Sequence, residues 1–293
     1  MAWQVAIALS ILANITTILV ERRYAQKSTI PATFATAISY VGGVIPLGLF
    51  AGLVIFPHHI NWSGQVIMLM VLLGSAMAIA NWLGFIVAKK LNVAALLVMR
   101  RVTSVMVIVL GWTILGETLS TSQFIGGTIL LLAATLAIFA PVKNTEGEYA
   151  HMPGLYIFLA LVGALFAAIG LVTEKALLGH MEVGGVFLTS WVAQAIAMTL
   201  FATKDLSRKN IRLLKHHEIK WSMLMGLANG ISGVFYVYAI SQSDNISLIT
   251  TVGAIGLPLT VLGAYIFLGE REHHFLMWLS IAVSFAGLLV MAL

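Results

Sequence analysis

Residues 92–117 read NVAALLVMRRVTSVMVIVLGWTILGE, and residues 245–270 read NISLITTVGAIGLPLTVLGAYIFLGE. Both open on Asn, continue as an apolar run long enough to span a bilayer, and close on Gly-Glu. Asn92 and Asn245 are 153 residues apart, and so are Glu117 and Glu270. One segment differs at its centre. Where the first carries Arg100 and Arg101, the second carries Gly253 and Ala254. The reading of the chain turns on this repeated segment, charged in one copy and glycine-broken in the other.

The same offset runs through the whole chain. Glu21 falls on Glu174, Phe34 on Phe187, Thr36 on Thr189 and Ala88 on Ser241. A register shared at the start, middle and end marks an internal repeat. The halves are residues 1–140 and 154–293, joined by the polar linker 141–153, PVKNTEGEYAHMP.

The chain is 60% hydrophobic and 9% charged, against roughly 25% charged residues in ordinary soluble domains. Lipid is therefore the expected solvent. The net charge of +5 resides in short gaps between apolar runs, so it is not a nucleic-acid signal. The chain has no cysteine, which excludes disulfides and thiolate metal sites. Met1 to Val20 lacks a basic n-region and runs directly into Glu21-Arg22-Arg23, so it is read as a retained span.

Ten stretches reach the ~20 apolar residues that a ~30 Å hydrocarbon core requires: 3–20, 31–56, 64–88, 92–115, 121–140, 154–173, 183–203, 221–240, 246–268 and 275–293. Their apolar runs are continuous, which specifies helices, not barrel strands. The fold expected is all-α and integral to the membrane, with ten transmembrane helices as two five-helix repeats. Five is odd, so the second repeat enters the membrane inverted. Loop charges agree: 13 Lys and Arg fall in gaps on one side and Lys175 alone on the other. Taken as the cytoplasmic side, the basic one leaves both termini outside.

With these features the chain resembles a ten-helix transporter of the drug/metabolite transporter superfamily, of the EamA type. The resemblance rests on the two five-helix repeats, on fourth helices ending in Gly116-Glu117 and Gly269-Glu270, and on glycines in the fifth helices, Gly126-Gly127 and Gly287. It implies a secondary transporter with a central cavity lined by helices one to four and six to nine, five and ten being peripheral. It implies no enzyme activity, and its members commonly keep both termini in the cytoplasm. Two features depart from the family: Val105 stands where the first-half fourth helix usually has proline, and the paired arginines are not part of the general pattern.

The residues suggest chemistry of their own. Arg100 lies eight residues beyond Asn92, ~12 Å along a helix at ~1.5 Å per residue and near the bilayer centre. Charge there is costly by at least ~2.5 kcal/mol and functional by default, and a guanidinium suits carboxylate or phosphate. Arg100 and Arg101 are thus a candidate anion site. The alternative pairs an arginine with Glu21 or Glu174. Across from them Gly253, Gly256 and Pro258 weaken helix nine, a helix break of the kind that exposes carbonyls at transporter sites. Asn14, Tyr40, Asn81, Trp82, Gln194, Asn229 and Tyr236 complete the candidate substrate contacts, with interhelical bonding as their alternative role. Glu21 and Glu174 are candidates for proton coupling, or for pairing with Arg22 and Lys175. Glu117 and Glu270 are expected to cap the helix that follows each. Gly226-x-x-x-Gly230 and Ala76, Ala80 and Gly84 are close-packing ladders. The pairs His58-His59, His216-His217 and His273-His274 lack the i, i+4 spacing of a helical metal site.

The expected function is export or exchange of a small polar, anion-bearing metabolite such as an amino acid, by alternating access. The alternatives are a membrane receptor or scaffold and a lipid-acting enzyme. No cofactor, metal or nucleic acid is expected. The partners are a small-molecule substrate, the bilayer of the cell's inner or plasma membrane, and a coupling proton or cation, with the chain acting as monomer or homodimer.

Overall fold

The structure is a computed structural model that describes residues 3–91, 93–118, 120–139, 142–143, 149–150, 154–243, 246–253, 256–269 and 275–292. It is almost entirely helical. The helices are α1 (Trp3–Lys27), α2 (Ala32–Ser39), α3 (Ile45–Phe50), α4 (Gly64–Ala88), α5 (Val93–Leu115), α6 (Thr121–Phe139), α7 (Gly154–Leu178), α8 (Val183–Thr203), α9 (Arg208–Arg212), α10 (His216–Ser241), α11 (Ile246–Gly253), α12 (Leu257–Gly263) and α13 (Phe275–Ala292). In the linker, Val142 pairs with Ala150 and Lys143 with Tyr149 as a short antiparallel ladder.

Among the described residues seven helices are long and apolar enough to cross a membrane; one of them is the composite Ala32–Ile55. Three shorter apolar helices accompany them: Thr121–Leu136, Leu259–Leu268 and Trp278–Val290. The outer surface is greasy, with Val54 69%, Met68 63%, Val71 62% and Leu200 63% exposed. Apolar area of that extent is compatible with lipid and not with water. Inside, the polar groups are satisfied. Among the described residues Ser284 Oγ is the buried side-chain atom that lacks a hydrogen bond. The protein is a multi-pass helical membrane protein.

Several local features follow from named residues. Pro46 has no N–H to return to Gly42, and the turn Tyr40–Val44 ahead of it is wound wide, as π-helix. Ala51–Ile55 and Ala264–Leu268 are also π-helical. Gly116 and Gly269 stop their helices at φ +70° and +67°, a left-handed cap that glycine adopts without steric cost. After Gly116 the chain folds back, and Glu117 N–H donates to the Gly111 carbonyl at 3.1 Å.

Glu117 does not cap the helix that follows it. Its Oε1 accepts from the Ile246 N–H at 2.8 Å and its Oε2 from Ser247 Oγ at 2.7 Å, so it caps α11 in the other half. A Cβ on Gly111 would meet Glu117 Oε2 at 2.8 Å, which is why the carboxylate can lie back over α5. The cap of α6 is instead a reciprocal box: Gln123 N–H donates to Ser120 Oγ at 3.2 Å and Ser120 N–H to Gln123 Oε1 at 2.9 Å. Glu270 lies outside the described residues, as do His273 and His274.

The packing is cross-matched: α1 runs along α10, α4 along α7, and α6 along α13. In the 153-residue register α1 answers α7 and α4 answers α10, so each half sends its first helix against the other half's third. Small residues set the spacing. A Cβ on Gly226 would stand 1.9 Å from the Ser39 carbonyl oxygen, and one on Gly230 would meet Leu47 Cδ1 at 2.9 Å. The Gly226–Gly230 ladder is therefore the seam of α10 with α2 and α3.

The two ends of the bundle are distinct. At one end Glu218 is buried and accepts from Thr29 N–H and Oγ1, both at 3.0 Å, while Asp205 accepts from Thr33 Oγ1 at 2.7 Å. Lys89 donates to the Ile30 carbonyl at 3.1 Å, and burial pushes its ammonium below the ordinary lysine value although Glu218 is nearby. These contacts gather the gaps after the first, third and seventh spans at the end where the basic residues lie. At the other end the gap near His59 meets the start of α8, with His59 N–H donating to Glu182 Oε2 at 2.8 Å.

Candidate functional site

A cavity of about 380 Å³ lies in the middle of the bundle, within the range of small-ligand sites. Its walls come from α1, the α2–α3 segment, α4, α5, α7, α8, α10 and α11; among the described residues α6 and α13 contribute nothing. Several of these helices present a polar stripe to it. On α1 these are Ser10, Asn14, Thr17 and Glu21, and on α10 Asn229, Ser232 and Tyr236. Spacings of three and four keep such residues on one helical face.

Ten of the candidate residues meet here: Arg100, Asn14, Tyr40, Asn81, Gln194, Asn229, Tyr236, Glu21, Glu174 and Gly253 all line the cavity. A chain of polar groups crosses it. Asn81 Nδ2 donates to the Tyr40 hydroxyl at 3.0 Å, and that hydroxyl donates to Gln194 Oε1 at 3.0 Å, linking α4, the second span and α8. The Tyr236 hydroxyl is 2.8 Å from Thr250 Oγ1. Ser10 and Ser232 exchange bonds, each hydroxyl donating to the other's carbonyl at 2.9 and 3.0 Å, where α1 and α10 touch.

Arg100 and Glu21 form an ion pair. Arg100 Nη2 donates to both carboxylate oxygens, at 2.9 and 3.1 Å. The guanidinium side chain is 33% exposed and Glu21 11%. Gly84 on α4 leaves room for it: a Cβ there would be 3.2 Å from Nη2. The arginine thus faces the cavity and holds a carboxylate of its own chain at once. Glu21 is consequently not paired with Arg22. Arg22 Nη1 instead donates to the Ala88 carbonyl at the end of α4. In the other half Lys175 does the same for α10, donating to the carbonyls of Ile240, at 3.0 Å, and Ser243. Both basic groups satisfy carbonyls where a helix ends, and neither glutamate is neutralised by its sequence neighbour.

Glu174 is the counterpart of Glu21 in the second half, and it is 4% exposed. The Trp191 indole lies beside its carboxylate, and the Tyr40 and Tyr236 hydroxyls lie within its electrostatic reach. Among the described residues no lysine or arginine forms an ion pair with it. The position answering Arg100 is Gly253, which has no side chain to offer.

Other candidates fall elsewhere. Trp82 is not in the cavity wall. Its ring packs against Phe201, 6.2 Å between centroids, and carries Lys204 Nζ 3.8 Å from its centroid. The neighbouring Asn81 faces the cavity because adjacent helical positions point ~100° apart. Gly256 is also outside the wall; it clears Ile11 of α1, whose Cγ2 would be 2.7 Å from a Cβ. Of helix nine the structure describes α11 up to Gly253 and α12 from Leu257, with Pro258 in the first turn of α12. The Pro258 and Arg101 side chains and all of Ala254 lie outside the described residues.

The sequence reading missed Trp191, Thr103, Ser104 and Thr250, all in the wall. Spacing held the signal: Trp191 is three residues before Gln194, and Thr103 and Ser104 are three and four after Arg100.

No family model matches the chain, and no curated protein does. A solved structure described as "Crystal structure of protein" superimposes with a TM-score of 0.67, over 97% of this chain and 98% of its own, at 15% identity. At that identity the likeness is one of fold alone.

Proposed function

We propose that this chain is a secondary transporter of a small polar metabolite, of the EamA type within the drug/metabolite transporter superfamily. In this reading ten spans form two inverted five-helix halves in the cell's inner or plasma membrane, and the cavity opens alternately to either side. The observation that carries it is the cavity itself: polar, charged on its wall, buried in a bundle with a lipid-compatible exterior, and lined from both halves while α6 and α13 stay outside. A fixed scaffold gains nothing from an ion pair facing a hollow in lipid. The cross-matched packing, the paired left-handed glycines and the shared use of Arg22 and Lys175 support the inverted repeat.

The anion-bearing part of the reading takes a specific form. Nη2 of Arg100 is engaged by Glu21, so an anionic solute group reaches the guanidinium beside Glu21 or in exchange for it. Of the two proton-coupling candidates, Glu21 already has a cationic partner, so Glu174 is the one at which a proton could exchange for a positively charged group. Flux tests the proposal. Protein in liposomes should move a subset of small polar metabolites, with amino acids the first set to try, and Tyr40→Phe should slow it by removing the hydroxyl that joins Asn81 to Gln194. If no solute of any charge class moves, the transporter reading fails.

A further inference from the structure

The two halves treat the same glutamate differently. Glu21 lines the cavity and is held by a guanidinium from α5. Glu174, 153 residues later, lines the same cavity and is buried, yet where its guanidinium should be the chain has Gly253. The basic neighbour cannot help, because Lys175 Nζ is turned to the carbonyls that end α10. Its polar surroundings are Trp191, Tyr40 and Tyr236. An ionised carboxylate removed from water and left with neutral partners is costly. A cation entering the cavity would meet it without displacing an ion pair among the described residues.

We infer that Glu174 is the recognition point for a positively charged group of the solute, an ammonium or guanidinium that takes the place Arg100 occupies in the other half. The inference rests on the transporter reading and supplies its substrate class: a small organic cation or a zwitterion, with the positive end at Glu174. The flanking aromatic groups suit this role. Trp191, Tyr40 and Tyr236 line the same cavity, and aromatic rings attract cations, Trp most strongly. At Gly253 the space is open enough for a group to approach. An added Cβ meets only Ile7 Cδ1, at an ordinary 3.5 Å.

The test is binding of methylguanidinium to detergent-solubilised protein, followed by the unfolding midpoint. N-methylurea serves as its neutral isostere and acetate as the anion. Methylguanidinium should raise the midpoint saturably, and methylurea should not. Glu174→Gln should weaken the effect about 10- to 100-fold, the loss of one charge-assisted contact. Gly253→Arg supplies the missing guanidinium from within; it should raise the midpoint by itself and abolish the methylguanidinium response. Equal stabilisation of Glu174→Gln and the native chain, or no stabilisation of either, overturns the assignment. A second readout separates it from the transporter reading. Binding without flux in liposomes would sink transport and leave the cation site. Flux of neutral or anionic solutes that Glu174→Gln leaves intact would sink the cation site and leave transport.

Discussion

Replacing Arg100 by Gln removes the partner of a carboxylate whose side chain is 11% exposed. Breaking a buried ion pair from one side costs about 3–5 kcal/mol, because the remaining charge is stranded. The guanidinium here is 33% exposed toward the cavity, so water already screens part of the attraction, and about 2–3 kcal/mol is the reasonable expectation. Glu21→Gln should cost a similar amount by stranding the arginine. The double variant strands neither, so its cost should fall short of the sum of the singles by about 1–3 kcal/mol. The assay is denaturant unfolding of the four proteins in one detergent, followed by tryptophan fluorescence. Strict additivity would refute the pairing, and with it the view that Glu21 and not the solute neutralises Arg100. A neutral Arg100→Gln that merely loses flux of anionic solutes would return the arginine to a pure substrate site.

Gly226→Ala should abolish folded protein or destabilise it by at least ~1–3 kcal/mol, since its Cβ would sit 1.9 Å from the Ser39 carbonyl, whereas Gly64→Ala, with nothing within 4 Å, should leave thermal stability unchanged. Glu117→Ala should cost ~0.5–2 kcal/mol as a lost helix cap and speed amide exchange at Ile246, with exchange at the start of α6 unaffected. Trp82→Phe should leave flux and methylguanidinium binding as they are, because the ring lies outside the cavity; a large change in either would put Trp82 back among the solute contacts. Gly116→Ala should destabilise the fold by ~1–2 kcal/mol for forcing a left-handed residue, read as a lower unfolding midpoint.

What could be read from the sequence was whatever rests on period and composition. Apolar runs locate the helices because only a helix satisfies its backbone in lipid. Ten of the candidate residues lie in the cavity wall; the polar ones among them were singled out because polar side chains at membrane depth have few reasons to be there. Pairing was harder to read. Arg22 is next to Glu21 in sequence and Lys175 next to Glu174, yet both cations turn to helix-end carbonyls, and no local pattern announces that choice. Glu117 likewise looked like the cap of its neighbour, when Ser120 and Gln123 already closed that helix. Adjacent positions mislead in the same way: Asn81 and Trp82 are one residue apart and face opposite surroundings.

Alternating access is the central claim, and the absence of native cysteine makes it directly measurable. Thr103→Cys places a single thiol on the cavity wall. In oriented membranes a membrane-impermeant maleimide should label it from either side, with a transported solute shifting the balance between the two. Labelling from one side alone whatever solute is present, or protection from both, would contradict the account.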